Sequence, residues 1–486
     1  MTGPRRFPEL TMTLRRQGAG IIEIGELPPS IAGVGFVGIA GGTAYVDPAY
    51  PQRLPFFEIA DGALAYDALA DLMGSDLADA CLALANAEDA GEQAEAAVSP
   101  TPLLGALVDL ATLRWLDLQA PWPVDETVLQ LELAVAEGRL ESCLDPDVDA
   151  IAPCQRMSPT ILAALDHLDE IPSRVKELSL DAAGLLLDHL PSDDPRWPVL
   201  DAALTRVESQ AAQRLEPPED PTVLADPEAI IAMCSPELAL AAGDDGQLWS
   251  NSEGVDWRFV RRGVLARDEG ALTWLIDFAA EHPTLSVSVG VAGALPSCLP
   301  EPSRSSSSDG AHATNPPLPE LDCVAYLGSA PIVLAIGRLS LDPERGTWST
   351  RLPLGRDVDG IQALLREGGL TVLVHEAGRQ PGPLSRASLA AAAAVRWGAR
   401  GLAAARSCST ATAGVDRPAY QRSDLRDAAR AALTTARQIW RMLPGPDAAR
   451  CAQRCSDLVE AVTAGTFTPR QSVTESLLVG GTSTRP

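Results

Sequence analysis

RDEGALTW (residues 267–274) and DPERGTW (residues 342–348) both end in Thr-Trp after a charged turn. The echo extends outward in one register, because Gly263 and Trp274 lie 74 residues before Gly337 and Trp348 (337 − 263 = 348 − 274 = 74). A first unit runs from Pro236 to Gly293 and a second from Pro319 to Gly378, each opening on Pro-Glu-Leu and closing on Ala-Gly. Within each, apolar and polar residues alternate into a turn (Asp268 to Gly270; Asp342 to Gly346) and out again, as in a hairpin with one buried face. A short helical stretch and an apolar strand follow, LSVSVGVA or LTVLVHEA, so each unit reads β-β-β-α-β.

One such unit buries too little apolar surface to stand alone. Two are expected to share a continuous sheet or to pack face to face about a pseudo-two-fold axis. Trp274 and Trp348 then become equivalent core or seam residues, and the platform they hold together becomes the expected binding surface.

Around this tandem unit, assigned to 225–378, the chain divides by composition. Residues 8 to 60 read as short strands broken by Gly and Pro: LTMTLRR, GIIEIGEL, GVGFVGIA, TAYV and PFFEIA. From about Gly62 through EQAEAA the spacing becomes helical, which makes 1–100 a small β region with acidic helices. Residues 101–218 continue as acidic helices punctuated by prolines. LEPPEDPTVLADPE then marks a boundary, and the Ser/Pro/Gly stretch at 300–317 reads as a flexible spacer between the two copies. Residues 379–486 read as an Arg-rich region of three helices with a loose tail, the first capped by Ser385 or Ser388 and the second by Ser423. The fold class expected is therefore α+β: N-terminal strands, a helical middle, the tandem repeat and a helical C-terminal region.

Charge narrows the function classes. The chain carries −27, yet from Arg379 onward 15 Arg face 7 Asp+Glu, giving +8 and leaving −35 on residues 1–378. A surface so acidic repels nucleic acid and anionic lipid. Only the C-terminal helices, where Arg426, Arg430, Arg437 and Arg441 recur opposite an Ala/Leu face, offer a basic surface for an acidic partner or RNA. Lys176 is the sole lysine among 38 basic residues, a bias expected of a GC-rich bacterial coding sequence such as an actinomycete's. No long apolar run or signal peptide is read, and nine scattered cysteines suit reduced thiols, so a cytoplasmic protein is expected.

The motifs that carry chemistry are incomplete. GVGFVG (33–38) with Glu58 matches G-x-G-x-x-G formally, but ELPPSIA before it and IAGGTAYVDP after it supply neither the strand nor the helix a dinucleotide needs. LDPDVDA (144–150) spaces aspartates like a calcium loop, but Ala150 stands where glycine is required and Arg156 where glutamate is. Cys451 and Cys455 lie one helical turn apart with no second ligand pair nearby. His375-Glu376 is the most suggestive catalytic pair among five histidines, because it ends an expected strand.

No cofactor or metal is implied by these patterns. The leading expectation is a non-enzymatic interaction or assembly protein (an adaptor, scaffold or chaperone-like subunit) that binds a protein partner or a second copy of itself through the repeated platform. Two alternatives stand beside it: a hydrolase or transferase using Asp/Glu and His375, and a nucleic-acid binder acting through the C-terminal arginines.

Overall fold

The computed structural model describes residues 10–17, 20–28, 31–50, 53–87, 93–119, 125–168, 170–191, 193–211, 248–253, 260, 264–265, 272–278, 282–291, 319–327, 333–343, 345–368, 370–377, 386–408 and 419–467. The spacer at 300–317 and the tail after 467 lie outside them. The chain is α+β, with three antiparallel sheets and, among the described residues, twelve α-helices. None of these helices is long and apolar enough to cross a membrane.

The first sheet holds β1 (Leu10–Arg16), β2 (Ile22–Ile24), β3 (Gly35–Ile39), β4 (Gly42–Val46), β5 (Phe56–Ile59) and β6 (Gln93–Val98), in the order β3-β4-β5-β2-β1-β6. Alternation does the sorting: in β3, Val37 and Ile39 are buried and Phe36 is exposed. The expected strands at 8–60 all form. Of EQAEAA, expected to be helical, residues 93–97 instead belong to strand β6 on the sheet edge, paired with β1 from Leu10↔Val98 to Arg15↔Gln93. Its small residues tolerate either structure, and pairing with β1, which buries Ala96 and Val98, overrides the helical propensity of Glu and Ala.

Helices α1 (Tyr66–Met73), α2 (Ser75–Ala85) and α3 (Pro102–Gln119) pack on this sheet. The glycine of GVGFVG that opens β3, Gly35, serves this packing, since a Cβ there would sit 2.1 Å from the Ala111 carbonyl oxygen of α3. Beyond α3, a separate helical lobe is formed by α4 (Glu126–Arg139), α5 (Ala152–Arg156), α6 (Ser158–Asp166), α7 (Ser173–His189) and α8 (Trp197–Ala211), around a core that includes Val128, Ile161, Val175 and Leu186. Asp125 caps α4: its buried Oδ1 accepts the Thr127 and Val128 N–H groups, each at 3.1 Å. Asp125→Ala is expected to lower the unfolding free energy by about 1 kcal/mol, read as an earlier midpoint in urea at unchanged slope. In LDPDVDA the carboxylates serve the turn, Asp145 accepting from the Asp147 N–H and Asp149 from those of Ile151 and Ala152.

The three C-terminal helices form as expected: α10 (Arg386–Cys408), α11 (Ala419–Met442) and α12 (Pro446–Ala464). Ser423 does not cap α11, which already runs from Ala419. All three join the first core, where Leu402, Leu433 and Leu458 cluster with Ile31, Ala32 and Trp115 from more than 250 residues earlier in the chain. Trp115 Nε1 donates to the Ala32 carbonyl at 2.8 Å, which fixes the loop that α10 packs upon.

The tandem unit gives a third core between two sheets. β7 (Leu248–Glu253), β8 (Leu272–Asp277), β9 (Thr284–Gly290), β12 (Ser340–Asp342) and β13 (Thr347–Pro353) form one sheet in the order β12-β13-β9-β8-β7. β10 (Leu321–Leu327), β11 (Val333–Arg338) and β14 (Leu370–Glu376) form the other in the order β11-β10-β14, and α9 (Val358–Gly368) precedes β14. Trp274 lies opposite Val287 and Trp348 opposite Val289, so the two tryptophans flank strand β9 and are buried in the same core.

The repeat and its pseudo-two-fold symmetry are nevertheless not confirmed. Residues 319–377 run β10-β11-β12-β13-α9-β14, one strand more before the helix than the expected β-β-β-α-β, and β8 pairs directly with β9 across a six-residue connection of which the described Phe278, His282 and Pro283 are not helical. Their counterparts β13 and β14 sit in different sheets. The cause is the length of the connection: the 11-residue helix α9 carries the chain across to the second sheet, whereas a six-residue link closes an antiparallel hairpin.

Candidate functional site

The three-stranded sheet brings together the sequence's catalytic candidates and, among the described residues, the most exposed large apolar side chain of any strand. β10 pairs β14 through Asp322↔His375, Val324↔Leu373 and Tyr326↔Thr371, and pairs β11 through Asp322↔Arg338, Val324↔Ile336 and Tyr326↔Val333. Because directly opposed residues share a face, three rows cross the side of this sheet turned away from the core it shares with the larger sheet: His375–Asp322–Arg338, then Leu373–Val324–Ile336, then Tyr326–Val333. A bulge beside Tyr326 brings Val333 back onto this face.

The charged row closes on itself at the β11 end. Arg338 Nε donates to Asp322 Oδ1 at 3.2 Å, and its Nη1 lies 2.8 Å from Glu320 Oε2. At the β14 end His375 is only 2% exposed, and its Nδ1 donates to the Glu376 carbonyl oxygen at 3.0 Å. Glu376 follows His375 directly in the strand and is paired with the inward-facing Leu321, so the two side chains lie on opposite sides of the sheet and do not form a dyad.

The apolar rows change character from strand to strand. Val324, Tyr326 and Leu373 are buried, yet Ile336 in the same row is 60% exposed and Val333 is 36% exposed. Among the described residues β11 has one strand neighbour, β10. Here an apolar surface and a sheet edge coincide, and an edge strand presents backbone N–H and C=O groups as well as side chains.

The other residues singled out in the sequence lie elsewhere. Trp274 and Trp348 are interior packing residues of the sheet core. Arg430 and Arg441 are exposed on α11, while Arg426 and Arg437 are half-buried at the border of its packed face. Arg430 pairs with Asp427 at 3.1 Å.

A polar cluster that the sequence did not reveal sits where the first sheet meets the C-terminal helices. Asp47, just after β4, is 6% exposed. Its Oδ1 accepts the Ala49 N–H at 2.9 Å, and its buried Oδ2 has no hydrogen-bond partner. Burial raises its carboxyl to about 6, against smaller lowering by the Ala49 hydrogen bond and by the charge of Arg454. Tyr50 lies between the guanidinium groups of Arg53 and Arg454, each 4.9 Å from the ring centre, and burial pushes its phenol to about 12. Buried Arg406 of α10 donates to the Pro48 carbonyl at 3.3 Å. The cluster joins chain segments some 400 residues apart, which makes it a fastening between the two ends of the chain. The only local signal was Asp-Pro-Ala-Tyr after a strand, which reads as an ordinary turn.

Burial also raises the thiols of Cys451 to about 11 and Cys455 to about 12, which keeps both protonated packing residues. No group of three or more metal-binding side chains occurs among the described residues. No family model, no curated protein and no solved structure matches the chain.

Proposed function

We propose that this chain is a cytoplasmic, non-enzymatic assembly or adaptor protein that captures an extended apolar segment of a protein partner along strand β11. One observation carries the reading: Ile336 and Val333 continue the apolar rows of Val324 and Tyr326 onto a sheet edge, where they stand exposed. Strand addition would pair the backbone of the incoming segment with β11 and place its alternate side chains against these two residues. Shared main-chain hydrogen bonding supplies affinity in this mode, and the two side chains supply selectivity.

The reading is tested with a photo-crosslinking side chain placed at Ile336 in the native host, with a control at Leu64, which is exposed on the first core. A discrete protein adduct is expected at 336 and not at 64. Ile336→Asp in a chain crosslinked from Val333 should remove that adduct while shifting stability by less than about 0.5 kcal/mol, as an exposed substitution does. Equal labelling at both sites, or an adduct that survives Ile336→Asp, would rule out the edge as the docking surface.

A further inference from the structure

We propose, independently of the β11 edge, that the arginine row of α11 docks onto the acidic face of α7 in a second copy of the chain. The spacings of the two rows match. Arg426, Arg430 and Arg437 are separated by 4 and 7 residues, and so are Glu177, Asp181 and Asp188 on α7. With about 1.5 Å of rise and about 100° of turn per residue, each row climbs about 6 Å and then about 10 Å while staying within about 40° of one side of its helix. Arg441 adds a further step of 4, so the row read backwards from Arg441 through Arg437 to Arg430 again shows 4 and 7. The antiparallel approach opposes the exposed Arg441 and Arg430 to Glu177 and Asp188, with the half-buried Arg437 level with Asp181 between them.

The surroundings favour the same partner. Residues 125–211, which contain the helical lobe, hold 18 Asp+Glu against 6 Lys+Arg, a net charge of −12, whereas α11 holds 5 Arg against 2 Asp, a net +3. Glu177, Asp181 and Asp188 are exposed, as are Arg430 and Arg441. The pairs already present, Arg139–Asp181 at 2.5 Å and Arg430–Asp427 at 3.1 Å, lie at the surface, where a single ion pair is weak enough to be rearranged by a new neighbour. α7 and α11 belong to different cores. A two-fold axis then pairs α11 with the second copy's α7 and α7 with its α11, doubling the number of contacts.

Sedimentation velocity on the full chain tests the assignment. At about 50 mM salt a reversible dimer is expected, weakened at least about tenfold at about 500 mM, where the screening length shrinks to a few ångströms. Arg430→Glu/Arg441→Glu should be monomeric at low salt, and so should Glu177→Arg/Asp188→Arg, both with unchanged circular dichroism because every substituted side chain is exposed. An equimolar mixture of the two variants should dimerise again, since each then meets a face of opposite sign. That rescue separates a direct contact from a general loss of charge. A chain that is monomeric at low salt, a dimer indifferent to both variants, or a mixture that fails to reassociate would overturn the proposal. So would a labelled single-stranded oligonucleotide that binds the wild type and not Arg430→Glu/Arg441→Glu, because the row would then serve nucleic acid.

Discussion

Gly398→Ala is expected to lower the melting temperature of the first core by about 10 °C, corresponding to a loss of about 3 kcal/mol or more. The size follows from what the methyl group meets. A Cβ on Gly398 would lie 1.7 Å from the Ile31 carbonyl oxygen and 2.7 Å from its carbonyl carbon. The obstacle is backbone, not the free end of a side chain, so no rotamer change relieves it. Nor can the loop retreat cheaply, because Trp115 Nε1 holds the adjacent Ala32 carbonyl at 2.8 Å and Ile31 and Ala32 are themselves buried. Either α10 lifts from the loop or the loop breaks the tryptophan hydrogen bond. Both outcomes part the C-terminal helices from the first sheet. Alanine is the better helix former by about 1 kcal/mol, so on helical propensity alone the substitution would stabilise. The sign of the result therefore discriminates between a helix that touches this loop and one that does not. Calorimetry of the full chain gives the shift. A melting temperature equal to or above that of the wild type would mean that α10 does not pack on Ile31.

That contact also marks where the sequence stops being informative. Elements whose cause is local were legible: the strands at 10–59 from their alternation, and the three C-terminal helices from their Ala/Leu faces and, for α12, from the glycines at 445 and 465 on either side. Strand β6 was not, because QAEAAV has no local reason to be extended until β1 lies beside it. The tandem unit was legible in part. Its tryptophans do share one core across β9, but its second half sets four strands, not three, before the helix, and the six-residue link between β8 and β9 and the 11-residue α9 send corresponding strands to different sheets. Similar residues at a similar spacing are compatible with either routing, and connection length decides between them. The exposed Ile336 could not be singled out either. VLAIGR reads as any apolar strand, and what makes it an edge is that, among the described residues, it pairs with β10 alone. The arginines of α11 and the acids of α7 were visible as charge, whereas the exposure of Arg430 and Arg441 on one helix and of Glu177, Asp181 and Asp188 on the other is set by packing.

Asp47→Asn is expected to flatten the pH dependence of stability by up to about 3 kcal/mol between strongly acid and neutral solution. In the unfolded chain the carboxyl titrates near 3.8, and in the folded chain near 6. A folded value raised above the unfolded one means that the native state binds the proton more tightly, so protonation stabilises the fold. That contribution is fully present below about 3.8, declines as the pH climbs, and is lost above about 6. At neutral pH the molecule thus carries a buried carboxylate whose Oδ2 lacks a hydrogen-bond partner, with the Arg454 charge compensating only part of the desolvation. Asparagine keeps an oxygen to accept the Ala49 N–H and never ionises. The difference between variant and wild type should therefore grow in favour of the variant as pH rises, by about 1.4 kcal/mol between about pH 5 and about pH 7.5. Taking that difference cancels the titration of groups unaffected by the change, including the many surface carboxylates. The Tyr50 phenol, raised to about 12 by burial, stays protonated across this range. Urea midpoints of the two proteins at several pH values measure it. Parallel curves would show that Asp47 is solvated in the folded chain, and that the sheet and the C-terminal helices do not close over it.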